Sequence, residues 1–359
     1  MCYNKIMEFV TLSKEEFRAF ADAHPDKSFY QTPEIAKLRE DAGWQPQYYA
    51  VKKDGKILAG SLIVGKETFL KAKTFYAPGG PLIDYEDTKL TNFFFKNLIK
   101  SLSEQKGLVL RIDPYYELIQ RDRDGLPVPG GFHRKKAVKN LEELGFKPLK
   151  VATQPKYLFV LDIKKRTPDE ILMDFKRNTR NHVRKAEKMG VKVRELKREE
   201  LNILKKITEA TSERRHFEDK PLSYYEQMYD LFHDRGEVMF MLAEADNIPL
   251  SVAMFMTYGD EIIYLFSGSD EKYMRDYNAQ YAIQWHMIKY AAEHGFKRYN
   301  FYGIQGLPDE NAKDYGIYEF KKGFTSDETG RVVEFLGTYE KSLSALYPLY
   351  KLLSKAKHG

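Results

Sequence analysis

A run of positive charge extends from Phe175 to Arg194. It contains eight lysines or arginines and a single acid, Glu187. Four of its side chains fall within about 80° of arc on a helix and form a one-sided basic stripe: Arg177, Arg180, Arg184 and Lys188. Most charge runs are solvated surface, but solvated faces usually mix both signs, and this one does not. We therefore expect the stripe to bind an anionic partner, with RNA phosphate as the leading candidate.

Other catalytic residue types give weaker signals. No Ser-His-Asp or Cys-His arrangement is evident in the sequence, and no two carboxylates stand out as an acid and base pair. His182 interrupts the basic run and adds polarity. His216 is either a base for an attacking amine or, as we favour, a partly exposed loop residue. Asp113 follows an apolar strand, where open sheets place ligand groups, but an aspartate before a proline also starts turns.

The composition is that of a globular protein with room for two cores. The chain has 359 residues, of which 43% are hydrophobic and 31% charged. Its net charge of +6 favours anionic partners. The single cysteine, Cys2, excludes a disulfide framework and a cysteine-rich zinc site. No run approaches 18 apolar residues and the N-terminus does not resemble a signal peptide, so we expect a cytoplasmic protein.

An internal repeat organises the chain. Residues 48–64 read as a strand, a turn at Asp54-Gly55 and a second strand, and residues 239–256 read as the same hairpin with its turn at Asp246-Asn247. Each hairpin is followed by a third strand, a helix and a fourth strand: 73–84, 87–105 and 108–114 in the first half, and 261–269, 279–294 and 297–304 in the second. Two matches in tandem at similar spacing are unlikely by chance.

This element order is the core order of the GNAT acyltransferase fold. We predict a mixed α/β protein with two tandem GNAT-like domains. The first domain is predicted to span residues 1–152 and to be completed by 330–359, and the second to span 153–329. Capping boxes at Ser13-x-x-Glu16 and Thr167-x-x-Glu170 mark two helix starts. The second of these is predicted to open a basic helix over residues 168–189, which ends at Gly190.

The acetyl-CoA signature of such domains is missing. Members that use this cofactor bind its pyrophosphate through a glycine-rich loop at a helix N-terminus. The equivalent segments here, APGGPLIDYEDTKL and SGSDEKYMRDYNAQY, lack the required glycine spacing. We therefore expect no acetyl-CoA binding and no cofactor.

Several segments together resemble the Fem (FemABX) aminoacyltransferases, which build the interpeptide bridges of bacterial peptidoglycan. The matching segments, in chain order, are FYQTPEIAKLREDAGW (29–44), LRIDP (110–114), FKRNTRNHVRKAEKMGVKVREL (175–196), SERRHFEDKPLSYYEQM (212–228), YNAQYAIQWHMIKYA (277–291) and YEFKKGF (318–324). The chain has no room for the helical hairpin that many members insert in their second domain, so it resembles the short, FemX-like form. The resemblance implies two GNAT-like domains and an aminoacyl-tRNA donor. We also expect no metal site.

The resemblance also implies a set of site residues. Lys321 would lie at the reaction centre, and Asp113 would be an acid in the acceptor cleft. Precursor binding would involve six further positions: Lys37, Lys220, Tyr224, Phe320, Phe266 and Leu108. Lys220 stands where the short form has arginine, and Leu108 and Phe266 stand where it has tyrosines, so a bidentate fork and two hydroxyls are lost. Fixed positive charge on Lys37, Lys220 and Lys321 is compatible with binding a diphosphate.

The predicted reaction is non-ribosomal aminoacyl transfer from aminoacyl-tRNA to the stem-peptide amine of a peptidoglycan precursor, either UDP-MurNAc-pentapeptide or lipid II. A monomer with possible peripheral membrane contact is expected. The first alternative is another tandem-GNAT transferase that uses aminoacyl-tRNA on a protein or small-molecule amine. The second is a non-catalytic precursor- or RNA-binding homologue.

Overall fold

The computed structural model describes five stretches of the chain, which exclude Cys2: residues 6–68, 71–216, 218–304, 306–312 and 315–356. The chain forms two compact units. Unit 1 comprises residues 1–120, 129–156 and 334–359, and unit 2 comprises residues 121–128 and 157–333. The boundaries lie a few residues from the predicted ones, and the predicted first domain did not set apart the segment 121–128.

The helices of the described residues are, in chain order, α1 (Lys14–Ala23), α2 (Pro33–Asp41), α3 (Thr88–Glu104), α4 (Lys135–Glu143), α5 (Pro168–Asp174), α6 (Arg177–Lys188), α7 (Leu201–Arg215), α8 (Leu222–Phe232), α9 (Glu271–Tyr277), α10 (Ala279–Glu293), α11 (Tyr315–Lys322) and α12 (Tyr347–Ala356). The strands are β1 (Glu8–Thr11), β2 (Gln45–Lys53), β3 (Lys56–Glu67), β4 (Lys73–Ala77), β5 (Gly107–Ile112), β6 (Glu117–Gln120), β7 (Lys147–Pro148), β8 (Tyr157–Asp162), β9 (Lys192–Glu195), β10 (Val238–Ala245), β11 (Ile248–Tyr258), β12 (Glu261–Ser269), β13 (Arg298–Ile304), β14 (Gly330–Phe335) and β15 (Tyr339–Ser342).

The sheet of unit 1 has the strand order β1-β2-β3-β4-β5-β15-β7. Neighbouring strands are antiparallel except β4 and β5, which are parallel and are joined by α3. A parallel pair needs such a crossover because a tight turn reverses the chain. The hydrophobic core of this unit includes Phe75 of β4, Phe94 and Phe95 of α3, and Leu110 of β5.

The sheet of unit 2 repeats this plan. Its strands follow the order β14-β8-β13-β12-β11-β10-β9, and the pair β12 and β13 is parallel and joined by α10. Thus β2-β3-β4-α3-β5 in unit 1 corresponds to β10-β11-β12-α10-β13 in unit 2, which confirms the predicted repeat. The core of unit 2 is separate and includes Phe159, Phe255, Ile283 and Phe301.

Local sequence signals account for much of this plan. Both hairpin turns lie where they were predicted, with positive φ at Asp54 and Gly55 and at Asp246 and Asn247. Two successive left-handed residues are what a tight two-residue hairpin turn requires. Both predicted capping boxes are present, at Ser13 and at Thr167. In each box the hydroxyl accepts from a backbone N–H that would otherwise lack a partner.

The prediction of one continuous basic helix was wrong. The segment 168–189 contains two helices, because Phe175 adopts an extended conformation between α5 and α6. Its ring is buried and meets Trp285 and Phe324 edge-on, with centroids 5.4 and 5.1 Å away. Burial of an aromatic side chain stabilises the fold more than two further helical residues would, so tertiary packing determines where the helix breaks.

Candidate active site

Lys321 is a buried lysine near the end of α11. Only 5% of its surface is exposed, and burial lowers its pKa to about 7. The ammonium donates hydrogen bonds to the carbonyl oxygens of Gly303, at 2.6 Å, and Tyr302, at 3.3 Å. Among the described residues it forms no ion pair with a carboxylate. A buried amine held only by neutral carbonyls can give its charge to a substrate without first breaking an ion pair.

An irregularity in β13 positions the two carbonyl groups. The pairing of β13 with β8 shifts register between Asn300 and Gly303, and Tyr302 has a φ of +64°. The backbone N–H of Tyr302 donates to the side chain of Asn300, at 2.7 Å, and Asn300 donates to Glu261, at 2.9 Å. Bulges of this kind redirect groups beside active sites, and this one turns two carbonyl groups toward Lys321.

The helix that carries Lys321 is fixed on both sides. The Tyr318 hydroxyl donates to the backbone carbonyl of Arg123, at 2.9 Å. Glu319 pairs with Lys176, which precedes α6, at 2.9 Å. Phe320 is partly buried and meets the ring of Tyr281 edge-on, with centroids 5.1 Å apart. α11 therefore places Lys321 and Phe320 firmly within unit 2.

Asp113 lies at the end of β5 in unit 1 and is 5% exposed. Its carboxylate accepts hydrogen bonds from the Tyr76 hydroxyl, at 2.5 Å, and from the Thr338 hydroxyl. Burial raises the pKa of Asp113, although both hydroxyls favour the ionised form. β4 and β5 are parallel, so Tyr76 and Asp113 both lie at the carboxyl ends of these strands, where their side chains meet. The carboxylate is thus held in one orientation.

The FYQT segment, which precedes the helix that carries Lys37, is fixed to the same region. Gln31 is fully buried and donates to the carbonyl oxygen of Pro78, at 2.7 Å. Gly80 has no room for a side chain, because a Cβ there would collide with the amide of Gln31. The APGG segment therefore holds the FYQT motif.

Lys37 itself is exposed on α2. Its ammonium pairs with Asp41, at 2.6 Å, and with Glu40, at 3.3 Å. Exposed pairs of this kind are weak, so an arriving phosphate can compete for the lysine.

Two of the predicted precursor residues of unit 2, Tyr224 and Phe266, lie on either side of one ring. Lys220 is exposed and precedes α8, which carries Tyr224 and Tyr225. The ring of Tyr225 lies 5.6 Å from that of Tyr224 and 5.2 Å from that of Phe266. Tyr225 therefore joins two residues that the sequence analysis named separately.

Tyr225 and Asp219 escaped the sequence analysis. The Tyr225 hydroxyl donates to Asp219, at 2.6 Å, and Asp219 also pairs with Lys205, at 2.8 Å. The two adjacent tyrosines of the SYYEQM segment could have indicated Tyr225, because only one of two neighbouring rings on a helix can face the core.

The two remaining residues differ in their exposure. Leu108 is buried in a small apolar cluster with Val109 and Tyr347, so its place in the acceptor cleft remains a prediction. His216 ends α7 in a left-handed conformation with its side chain exposed.

The basic stripe is partly altered by the helix break. Arg177, Arg184 and Lys188 are exposed, while Thr179, Val183 and Ala186 on the opposite side are buried. Arg180 differs, because its guanidinium donates to the carbonyl oxygens of Met173, at 2.8 Å, and Phe175, at 2.5 Å. Arg180 therefore departs from the one-sided basic stripe predicted for these four residues. Arg180 closes the C-terminal end of α5, which leaves three members of the stripe exposed.

Comparison with known proteins decides the family. The sequence profile of the FemAB family matches residues 12–247 and 244–355. The chain belongs to the FemAB family. Aminoacyltransferase FemA of Staphylococcus aureus strain N315 is 29% identical to it over 421 aligned positions, which cover 98% of this chain and 99% of that protein. As a FemAB-family member related to FemA over almost its whole length, the chain is an aminoacyltransferase.

Solved structures support the fold of this FemAB-family chain. The crystal structure of FemX has a TM-score of 0.81 and 24% identity, and covers 96% of this chain and 99% of FemX. A tandem GNAT protein from the clavulanic acid biosynthesis pathway has a TM-score of 0.55 and 10% identity, with 94% and 99% covered. These likenesses confirm the predicted mixed α/β fold with two GNAT-like domains.

The described residues of this FemAB-family chain contain neither a membrane-spanning helix nor a candidate metal cluster. In the part of the chain that the structure describes, no helix combines the length and apolar character needed to cross a membrane. Over the same residues, histidine, cysteine, aspartate and glutamate form no group of three or more suited to a metal ion.

Proposed function

We propose that this FemAB-family enzyme transfers an amino acid from aminoacyl-tRNA to the stem-peptide amine of a peptidoglycan precursor, UDP-MurNAc-pentapeptide or lipid II, and so builds the interpeptide bridge. The observation that carries the proposal is Lys321, a buried ammonium on a fixed helix with only neutral carbonyl partners among the described residues. Such a group suits the charge that develops when an ester carbonyl is attacked.

The proposed chemistry is aminolysis of an ester. The neutral acceptor amine attacks the carbonyl carbon of the aminoacyl ester, and a C–N bond forms. Lys321 donates to the oxygen that becomes negative. Asp113 or a precursor phosphate takes the proton that the amine loses, and either group can pass it on. The C–O bond to the tRNA 3′ oxygen then breaks, and that oxygen takes up this proton and leaves as a hydroxyl. Because the ester is already activated, positioning supplies much of the rate.

A reconstituted reaction tests the proposal. The protein is incubated with a pool of charged tRNAs and UDP-MurNAc-pentapeptide, and the products are weighed by mass spectrometry. The expected product is heavier by one or more aminoacyl residues, and their mass identifies the amino acid. A precursor of unchanged mass with both this acceptor and lipid II would contradict the proposal and favour the alternative acceptors or a non-catalytic homologue. No cofactor should be needed, and acetyl-CoA should not bind.

Lys37→Ala and Lys220→Ala are each expected to weaken binding of UDP-MurNAc-pentapeptide by about 10- to 100-fold, because each removes a charge-assisted phosphate contact. Turnover of the bound complex should change less. Calorimetric titration measures the affinities. Lys139→Ala is the matched control, since Lys139 is also an exposed helical lysine paired with an acid four residues later, Glu143. Affinities of all three variants equal to that of the wild type would remove Lys37 and Lys220 from the site.

The proposed function also concerns where the enzyme acts and what it contacts there. We expect a cytoplasmic monomer that touches the membrane surface when its acceptor is lipid-linked. Exposed leucines near α12 support the membrane contact: Leu346, Leu349, Leu352 and Leu353. Apolar side chains on one terminal helix suit shallow insertion among lipid headgroups. Co-sedimentation with anionic vesicles tests this contact, and its absence would favour the soluble acceptor.

A further inference from the structure

An open groove of about 490 Å³ lies in unit 2 beside the start of α6. Its walls come from α6, from α11 and from Tyr281 of α10. The groove could not be predicted from the sequence, because these segments are distant in the chain. Its lining combines backbone N–H groups, one buried hydroxyl, basic side chains and aromatic rings.

The N-terminus of α6 opens into the groove without a cap. Lys176 occupies the N-cap position, and its side chain makes no capping hydrogen bond. Its backbone N–H donates to Gly323, at 2.8 Å, and the helical bonds begin with Arg180, which donates to the carbonyl of Lys176 at 3.1 Å. Within the described residues the N–H groups of residues 177–179 therefore lack acceptors. These groups and the helix dipole together attract an anion.

Thr179 supplies a second and independent indication of a ligand. Its side chain lines the groove although only 5% of the residue is exposed. The residue is largely buried, yet its hydroxyl has no hydrogen-bond partner among the described residues, whereas polar groups in such positions are normally paired. Gly323, which also lines the groove, faces this hydroxyl so closely that a Cβ there would collide with it. The site is thus built around a donor that has no protein partner.

The side chains around the groove carry a small excess of positive charge, which favours an anion. Lys176 and Arg177 are exposed at its edge. Glu319 is the acid in the lining, and its carboxylate already pairs with Lys176 at 2.9 Å. Arg177 therefore remains available to an anion, and His182 adds a ring nitrogen.

Aromatic rings form a platform on one wall. The ring of His182 stacks on that of Tyr281, with centroids 4.5 Å apart and an angle of 27° between planes. Phe320 braces Tyr281 from its edge. A charged groove with stacked rings is the usual arrangement for binding unpaired nucleotides. A free phosphate alone would not need the rings.

We infer that this groove binds a phosphodiester together with an adjacent unpaired base of the RNA donor. The inference rests on the proposed function, which supplies an RNA with a single-stranded 3′ end. The N–H groups of α6, the Thr179 hydroxyl and Arg177 hold the phosphate, and the His182–Tyr281 pair stacks on the base. The exposed stripe of α6 then contacts the paired part of the same molecule.

Binding of two tRNA preparations tests the inference: deacylated tRNA, and the same tRNA trimmed of its unpaired 3′ nucleotides. The wild type should bind the trimmed form about tenfold or more weakly. Thr179→Val keeps the side-chain shape but loses the hydroxyl, so it should bind intact tRNA about tenfold more weakly and lose little more on trimming. Thr179→Ser keeps the hydroxyl and should resemble the wild type. His182→Ala should also reduce the effect of trimming.

Each other result has a distinct meaning. If Thr179→Val and His182→Ala distinguish the two tRNAs as the wild type does, the groove does not bind the 3′ end, while the proposed donor stands. If Thr179→Val instead loses affinity for UDP-MurNAc-pentapeptide, the groove holds the precursor diphosphate and the inference is wrong. If the wild type binds neither tRNA, the inference and the proposed donor both fail.

Discussion

Replacement of Lys321 by alanine or methionine is expected to reduce aminoacyl transfer by about 10²- to 10³-fold while the fold stays intact. This is the typical loss when a preorganised donor to a developing oxyanion is removed. The rate of transfer from aminoacyl-tRNA to UDP-MurNAc-pentapeptide is the measurement. Lys322→Met is the control, because Lys322 is the next residue on α11 but pairs with Asp124. That variant should keep most activity.

Lys321→Met should also stabilise the folded protein. The pKa of Lys321 is about 7 in the folded chain and about 10.4 when unfolded, so between these pH values the unfolded chain binds a proton that the folded chain does not. The wild type therefore loses stability as the pH falls through this window, and Lys321→Met does not. At pH 7 the methionine variant should be more stable by roughly 2–5 kcal/mol. Chemical denaturation at pH 7 and pH 10 measures the difference, which should nearly vanish at pH 10.

The pH also tests which form of Lys321 acts. If the ammonium donates to the oxyanion, the ratio of the wild-type rate to the Lys321→Met rate should fall as the pH rises through about 7. The ionisation of the acceptor amine affects both rates equally, so it does not change their ratio. A ratio that rises with pH would instead make the neutral amine of Lys321 the base. Equal rates in the two proteins at every pH would remove Lys321 from the reaction centre.

Arg177→Glu combined with Arg184→Glu is expected to raise the KM for aminoacyl-tRNA by more than about tenfold and to flatten its dependence on salt. Each lost phosphate contact lowers the slope of log affinity against log salt concentration by about 0.9. Arg180 is left intact because it closes the end of α5, so its replacement would confuse binding with stability.

The control for this pair is Lys89→Glu with Lys96→Glu on α3. Those lysines are exposed, lie seven residues apart as the arginines do, and change the net charge by the same amount. The arginine variant should keep its melting temperature and its affinity for UDP-MurNAc-pentapeptide. If the two double variants use aminoacyl-tRNA equally well, the exposed face of α6 is only solvated surface.

The sequence predicted what depends on local interactions. The hairpin turn at Asp54-Gly55 and the helix start at Thr167 each follow from a few adjacent residues, and both are where they were expected. The break at Phe175 was missed because it depends on rings contributed by residues 285 and 324.

In the candidate site, too, local features were predictable and long-range contacts were not. Lysine and aspartate at matched motif positions were identifiable, but the burial of Lys321 and the hydroxyl partners of Asp113 were not, since those come from distant strands. Thr179 gave no signal at all, because an unpaired hydroxyl is visible only when every neighbour is known.

The position of β15 has a consequence for how the chain is made. Residues 339–342 lie between β5 and β7 in the sheet of unit 1, although most of that unit comes from the first 156 residues. During synthesis β5 therefore emerges long before its neighbour and waits as an unprotected edge, while all of unit 2 is translated. The half of the enzyme that is translated first is thus the half that finishes folding last.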